Sequence, residues 1–238
     1  MTKVIAVVSG KGGVGKTTTV VNVASALRQQ GVKTAVVDGN VLTPHVALHL
    51  GVMSPPATLN DFLQKKTDLW STIYHHDSGV DFLLASPSYQ EGKAVPSKQL
   101  GKLLGHLEGQ YDVVLVDCPS GLGEEVSTLL KYADEALIVA QPHLASVMDA
   151  LKVAEVARKE NTLVTGIVLN MCHGSKELSM EAVEEIASLP VIAVVPFDKK
   201  MLQALYQQEI AVIAYPRAAA PKRFRELGET LLGQPASL

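Results

Sequence analysis

Short, unbroken apolar runs recur along the chain at residues 4–8, 34–37, 80–84, 113–116, 136–140, 163–169 and 191–195. They are rich in β-branched residues and do not alternate with polar ones. That pattern fits strands buried on both faces, as in a parallel sheet covered by helices. Between the runs the period lengthens. Residues 16–30 place Val20, Val23, Ala24 and Leu27 on one stripe, and 145–159, 180–189, 199–208 and 221–232 look similar. Strand–helix alternation predicts a doubly wound, three-layer α/β fold: a mostly parallel sheet with helices on both faces. Residues 59–88 fit the alternation less well. They read as a short helix at 59–64 and strands at 71–74 and 80–84, with His75 and His76 beside an Asp77-Ser78-Gly79 turn. Adjacent histidines on a strand point apart, so the turn is preferred over a metal site. Residues 87–97 read as a surface loop. The simplest parse is one domain over 1–232 and a short tail over 233–238.

Composition narrows the function classes. With 47% apolar and 19% charged residues the chain is not intrinsically disordered. A net charge of −3 argues against a strongly cationic nucleic-acid protein, and 5% aromatics leave little material for base stacking. Cys118 and Cys172 each lie beside an apolar run and read as reduced and buried, which suits a cytoplasmic protein. The apolar start is too short for a secretion signal, and no run reaches the ~20 residues of a membrane span.

The chemistry concentrates after the first strand. Gly10-Lys11-Gly12-Gly13-Val14-Gly15-Lys16-Thr17 satisfies G-x-x-x-x-G-K-[ST] where a strand ends and a helix opens. Glycines let backbone N–H groups approach phosphate oxygens, and the helix start adds its positive dipole end. In that arrangement Lys16 reaches the β- and γ-phosphates of ATP, Thr17 coordinates Mg²⁺ and Thr18 bonds the α-phosphate. Lys11 is a second lysine. From the start of the loop it reaches its own nucleotide poorly, but a neighbour's is within its range.

The run from Lys11 to Thr18 resembles the deviant Walker A motif of the MinD/ParA ATPases, and the resemblance extends over about residues 3–232. It implies a P-loop ATPase that forms a face-to-face homodimer with two ATP molecules between subunits, each Lys11 contacting the nucleotide of the other. Val36-Val37-Asp38-Gly39-Asn40 looks like the first switch. Val113 to Gly121 looks like the Walker B strand and second switch, with Asp117 holding the Mg²⁺ shell through water and the Gly121 N–H sensing the γ-phosphate. Asn170 resembles the adenine-binding strand end, and Pro196 with Asp198 resembles the second adenine-side loop. Plain strand-to-loop caps remain the other reading of those three. Residues 133–139 with Pro142 and Ser146, 189–192 with Pro196, and Phe224-Arg225-Glu226-Leu227 are similar to MinD rather than ParA.

Three departures matter. The family usually carries an aspartate at position 40, where this chain has Asn40. An amide holds a water but cannot take its proton, so hydrolysis is expected to be slow, with Asp38 as a partial substitute. His45 stands where MinD proteins commonly have asparagine, in a helix expected to begin at Pro44 with Thr43 as its cap. Finally, six residues after 232 are too few for MinD's amphipathic membrane helix, so direct membrane binding is not expected. The basic cluster Arg217, Lys222, Arg223 and Arg225 reads as a solvated face. The expected function is therefore a nucleotide-timed positioning switch whose ATP dimer is sensed by a protein partner. Alternatives are a ParA-type DNA-segregation ATPase, an ATP-clamped binding module with little turnover, and a metal or iron–sulfur carrier short of cysteine ligands.

Overall fold

The computed structural model describes residues 1–174 and 176–233. Eight strands form one sheet: β1 (Lys3–Val8), β2 (Thr34–Asp38), β3 (Ile73–His75), β4 (Asp81–Leu83), β5 (Val113–Asp117), β6 (Glu135–Ala140), β7 (Leu163–Cys172) and β8 (Val191–Pro196). Their spatial order is β3-β4-β2-β5-β1-β6-β7-β8. Every pairing is parallel except β3 with β4 at one edge. The helices are α1 (Lys16–Gln29), α2 (Val46–His49), α3 (Leu59–Leu63), α4 (Tyr89–Lys93), α5 (Ser97–His106), α6 (Glu124–Lys131), α7 (Leu144–Lys159), α8 (Met180–Ala187), α9 (Lys199–Gln207), α10 (Ala211–Ala214) and α11 (Ala219–Leu231). The family's doubly wound, three-layer α/β fold is the one observed.

The unbroken apolar runs have a direct physical cause. In β1, Val4, Ala6 and Val8 enter one core while Ile5 and Val7 enter the other. In β5, Val114 and Val116 go one way and Val113 and Leu115 the other. Successive strand side chains alternate faces, so a sheet covered on both sides needs apolar residues at every position. Leu100, Leu103 and Leu129 from α5 and α6, with Val147 and Ala150 from α7, fill the first core. Val20, Val23 and Leu27 of α1 and Phe224 and Leu227 of α11 fill the second.

Several local expectations are corrected. Residues 87–97 are not plain loop: Ser88 caps α4 by accepting the Glu91 N–H. The expected strand at 71–74 is a 3₁₀ turn over Trp70–Thr72 followed by β3. The Asp68 carboxylate accepts the Ser71 N–H and so favours the turn there. The helix expected at Pro44 begins at Val46 with His45 as its N-cap. Thr43 does not cap it, because its hydroxyl donates to Asn40 Oδ1. Cys118 is buried as expected, but Cys172 is only partly so. Helices α5 and α6 were absent from the sequence reading. The tail expected over 233–238 falls mostly on residues 234–238, outside the described residues. Among the described residues no helix is long and apolar enough to cross a membrane.

Candidate functional site

The chain leaves β1 toward β2 on one side and returns through β5 to β6 on the other, so the carboxyl ends of β1 and β5 flank a topological switch point. Open α/β sheets bind ligands there. A cleft of about 690 Å³ lies at that point. Gly12, Gly13, Gly15, Lys16, Thr17 and Thr18 line it, and Asn40, His45 and Ser120 are on its walls. Gly13 and Gly15 have φ of +77° and +95°. That left-handed conformation turns the loop around the cleft and strains any residue with a Cβ. At Gly15 a Cβ would also stand 2.1 Å from the Asn170 amide nitrogen. α1 opens directly from this loop with no side-chain cap and no acid in its first turn. Its first N–H groups are therefore left for a ligand.

The charged groups converge from the start of α1 and the ends of β5 and β2. Lys16 Nζ is held between Ser9 Oγ at 3.0 Å and Ser120 Oγ at 2.9 Å. Burial pulls its ammonium below the ordinary lysine range, opposed by the Asp117 carboxylate. The Thr17 hydroxyl donates to Asp117 Oδ2 at 2.6 Å. Asp117 Oδ1 is buried with no hydrogen-bond partner. A buried, unpaired carboxylate oxygen is costly, and here it fits the shell of a divalent cation shared with Thr17 and with phosphate and water oxygens. Such a site needs no dense protein ligand set. Among the described residues no group of three or more His, Cys, Asp or Glu is placed to hold a metal by itself.

Asp38 and Asp117 are register partners on adjacent parallel strands. Burial raises Asp117 to about 6. Burial, and then the Asp117 charge, push Asp38 well above the usual carboxylate range. Asp38 accepts the N–H groups of Asn40 and Val46, so it organises the loop and α2 from below. It is fully buried and does not line the cleft. Asn40 is on the cleft wall, with its amide nitrogen donating to the Thr43 carbonyl at 2.6 Å.

The remaining candidates divide. Gly10, Lys11 and Val14 do not line the cleft. A Cβ on Gly10 would lie 2.4 Å from Asp149 Cβ, so that glycine serves close packing on α7. The Gly121 N–H donates to the Ser9 carbonyl. Asn170, Pro196 and Asp198 are brought together at a second, smaller cavity of about 110 Å³ that adjoins the first through Thr18, His49, Met171 and Leu205. There Asn170 Nδ2 donates to the Val14 carbonyl, clamping the loop. Asp198 caps α9 through the Lys200 N–H and accepts the Ala220 N–H of α11. Ser9, Ser120, His49, Glu125 and Met171 were not singled out from the sequence. Ser120 sits inside the recognised Walker B stretch, but His49 carries no local signal. In the basic cluster, Lys222 and Arg223 both pair with Glu226, and Arg225 donates to the Pro216 carbonyl.

A protein-family model described as the ParA, NUBPL iron-transfer P-loop NTPase matches residues 1–232. An uncharacterized ATP-binding protein of Methanocaldococcus jannaschii is 34% identical over 230 residues, covering 96% of this chain and 87% of that protein. The septum site-determining protein MinD of Escherichia coli K12 is 30% identical over 261 residues, covering 98% and 92%. The solved structure of the septum site-determining protein MinD from Pyrococcus horikoshii, complexed with Mg-ADP, superposes with a TM-score of 0.93 at 30% identity, covering 97% of this chain and 96% of that one.

Proposed function

Because the chain belongs to the MinD/ParA family of P-loop NTPases, with MinD among its near relatives, we propose that it is a Mg-ATP-binding ATPase that dimerises around nucleotide and works as a positioning switch. The observation that carries this reading is the convergence of Lys16, Thr17 and Asp117 beneath the glycine loop, with the Asp117 Oδ1 left unpaired. ATP supplies the phosphoryl group, and Mg²⁺ neutralises its charge when bound. Thr17 and Asp117 would hold the metal, and Lys16 and the loop amides would bind phosphate. Thr18 would bond the phosphate nearest the base. Asn170 and Pro196 would border the base in the second cavity, with Asp198 holding that cavity's loop in place.

Lys11 points away from its own cleft, which supports action on a neighbouring subunit's nucleotide. Hydrolysis is slow in this reading, because the Asn40 amide accepts no proton and Asp38, two residues before it, is buried under the loop. The ATP dimer presents a composite surface to a protein partner, and ATP favours the dimer only by binding it more tightly than the monomer. The protein is cytoplasmic in this reading. A DNA-segregation role is less favoured, since two of the four clustered basic residues share Glu226. Iron transfer, the activity in the family model's description, finds little ligand chemistry here: Cys118 is fully buried and Cys172 has no cysteine nearby in sequence.

Solution mass by light scattering with Mg-ATP and then Mg-ADP tests the proposal. A dimer with ATP and a monomer with ADP is the expected result. A monomer in both overturns the sandwich mechanism.

A further inference from the structure

Two consecutive threonines of the phosphate loop connect to opposite ends of one four-residue helix. Thr17 donates to Asp117, whose register partner Asp38 accepts the N–H of Val46, the first residue of α2. At the last residue of α2, His49 Nε2 lies 3.2 Å from Thr18 Oγ1. The other ring nitrogen, Nδ1, lies 2.9 Å from the His45 carbonyl oxygen. A carbonyl only accepts, so Nδ1 carries the ring proton. In neutral His49, Nε2 is then a bare acceptor, and the Thr18 hydroxyl donates to it. A hydroxyl has a single proton. A phosphate oxygen arriving at Thr18 requires that same proton.

We propose that His49 is a positioning residue that couples nucleotide binding to proton uptake. The phosphate takes the Thr18 hydroxyl proton as its hydrogen bond. His49 gains a proton from bulk solvent at Nε2 and donates it back to the freed lone pair of Thr18 Oγ1. The Nδ1–H bond to His45 is unchanged, so α2 stays anchored while its charge follows the loaded state. This rests on the reading that Thr18 faces a nucleotide phosphate.

The groups facing His49 set the balance. Lys16 of α1 and His45, one turn before in the chain, oppose an imidazolium. Glu125, Asp198 and Glu209, which line the two cavities His49 shares, favour it, as do incoming phosphates. Thr18, Met171 and Leu205, which line both cavities with His49, carry no charge. Burial, followed by the His45 charge, keeps the free imidazole below its ordinary range despite the bond to the His45 carbonyl. His49 is therefore neutral near pH 7 before binding. His49 thereby adds a proton to the loaded state, and its contribution makes nucleotide affinity rise as pH falls, by up to about tenfold per pH unit between its free and bound pKa values, against the protons that Asp38 and Asp117 release to Mg²⁺.

The test is calorimetric titration of the full chain with Mg-ADP near neutral pH in two buffers of different ionisation enthalpy, with ¹⁵N NMR of the His49 ring alongside. Expected are a change of Nε2 from unprotonated to protonated on binding and a proton balance more positive than that of His49→Gln by up to about one proton. The Gln amide donates to Thr18 without titrating, so the difference between the two proteins is free of the protons that Asp38 and Asp117 release to Mg²⁺. An equal proton balance in His49→Gln, or an Nε2 that stays bare with ADP bound, overturns the proposal. Either result with Mg-ADP binding intact sinks the His49 role alone. No Mg-ADP binding by the wild type at any pH sinks the nucleotide-site reading with it. The ring signature is read in the wild type, so it does not depend on the variant folding.

Discussion

Lys11 Nζ lies 3.4 Å from Asp149 Oδ2 on α7 of its own chain, outside the cleft that its loop encloses. Asp149 also pairs with Lys152 at 3.3 Å. The Lys11 side chain is 47% exposed, so solvent screens the pair and leaves it a weak hold. Dimerisation through Lys11 must break it. Asp149→Asn is therefore expected to tighten the ATP-dependent dimer by up to about thirtyfold, since two such pairs break in each dimer, read by sedimentation across a concentration series. Lys11→Ala should abolish the ATP dimer and leave monomer nucleotide binding intact. A dimer that survives Lys11→Ala refutes the trans role.

Asn40 sits on the cleft wall, with both amide atoms engaged by Thr43. Asn40→Asp removes the donor to the Thr43 carbonyl and supplies a carboxylate at the cleft. Steady-state ATP turnover should rise by about a hundredfold, the lower end of what a positioned base contributes. An unchanged rate means that position 40 does not limit hydrolysis.

Asn170→Ala deletes the donor to the buried Val14 carbonyl. A loss of about 1–2 kcal/mol in chemical denaturation is expected. Because the amide grips the loop, ATP and GTP affinities should weaken together. A selective loss of ATP binding would instead make Asn170 a reader of the base.

Acidification should stabilise the nucleotide-free protein. Burial raises Asp117 to about 6 and lifts its partner Asp38 as well, so between pH ~4 and ~6 the folded state binds more protons than the unfolded state. Unfolding free energy then falls as pH rises through that window. In chelator and without nucleotide, the melting temperature should be higher at pH 5.5 than at pH 7.5, and Asp117→Asn should flatten the difference. Mg²⁺ with nucleotide should reverse it by favouring the ionised pair. A lower melting temperature at pH 5.5 in chelator would show that the pair is not the dominant titrating group.

The glycine loop, the two lysines and the acid ending β5 were legible in the primary structure because each depends on local order: a strand, a tight turn and a helix start. The doubly wound sheet was legible for a similar reason, since burial on both faces demands an apolar residue at every strand position. Helices α5 and α6 escaped because they open on weak N-terminal signals, Pro96 and Gly123, neither of which offers a side-chain acceptor to the first helical N–H groups. Tertiary structure alone decided which groups serve the cleft. Asp38 and Asn40 lie two residues apart, yet strand geometry buries one beneath the loop and leaves the other on the wall. Lys11 belongs to the loop in sequence and to α7 in space. His49 and Thr18 are separated by 31 positions, and only the return of α2 against α1 makes them share a proton. Local sequence order determines backbone conformation. Which side chains compete for one proton or one cation depends on distances that only the folded chain sets.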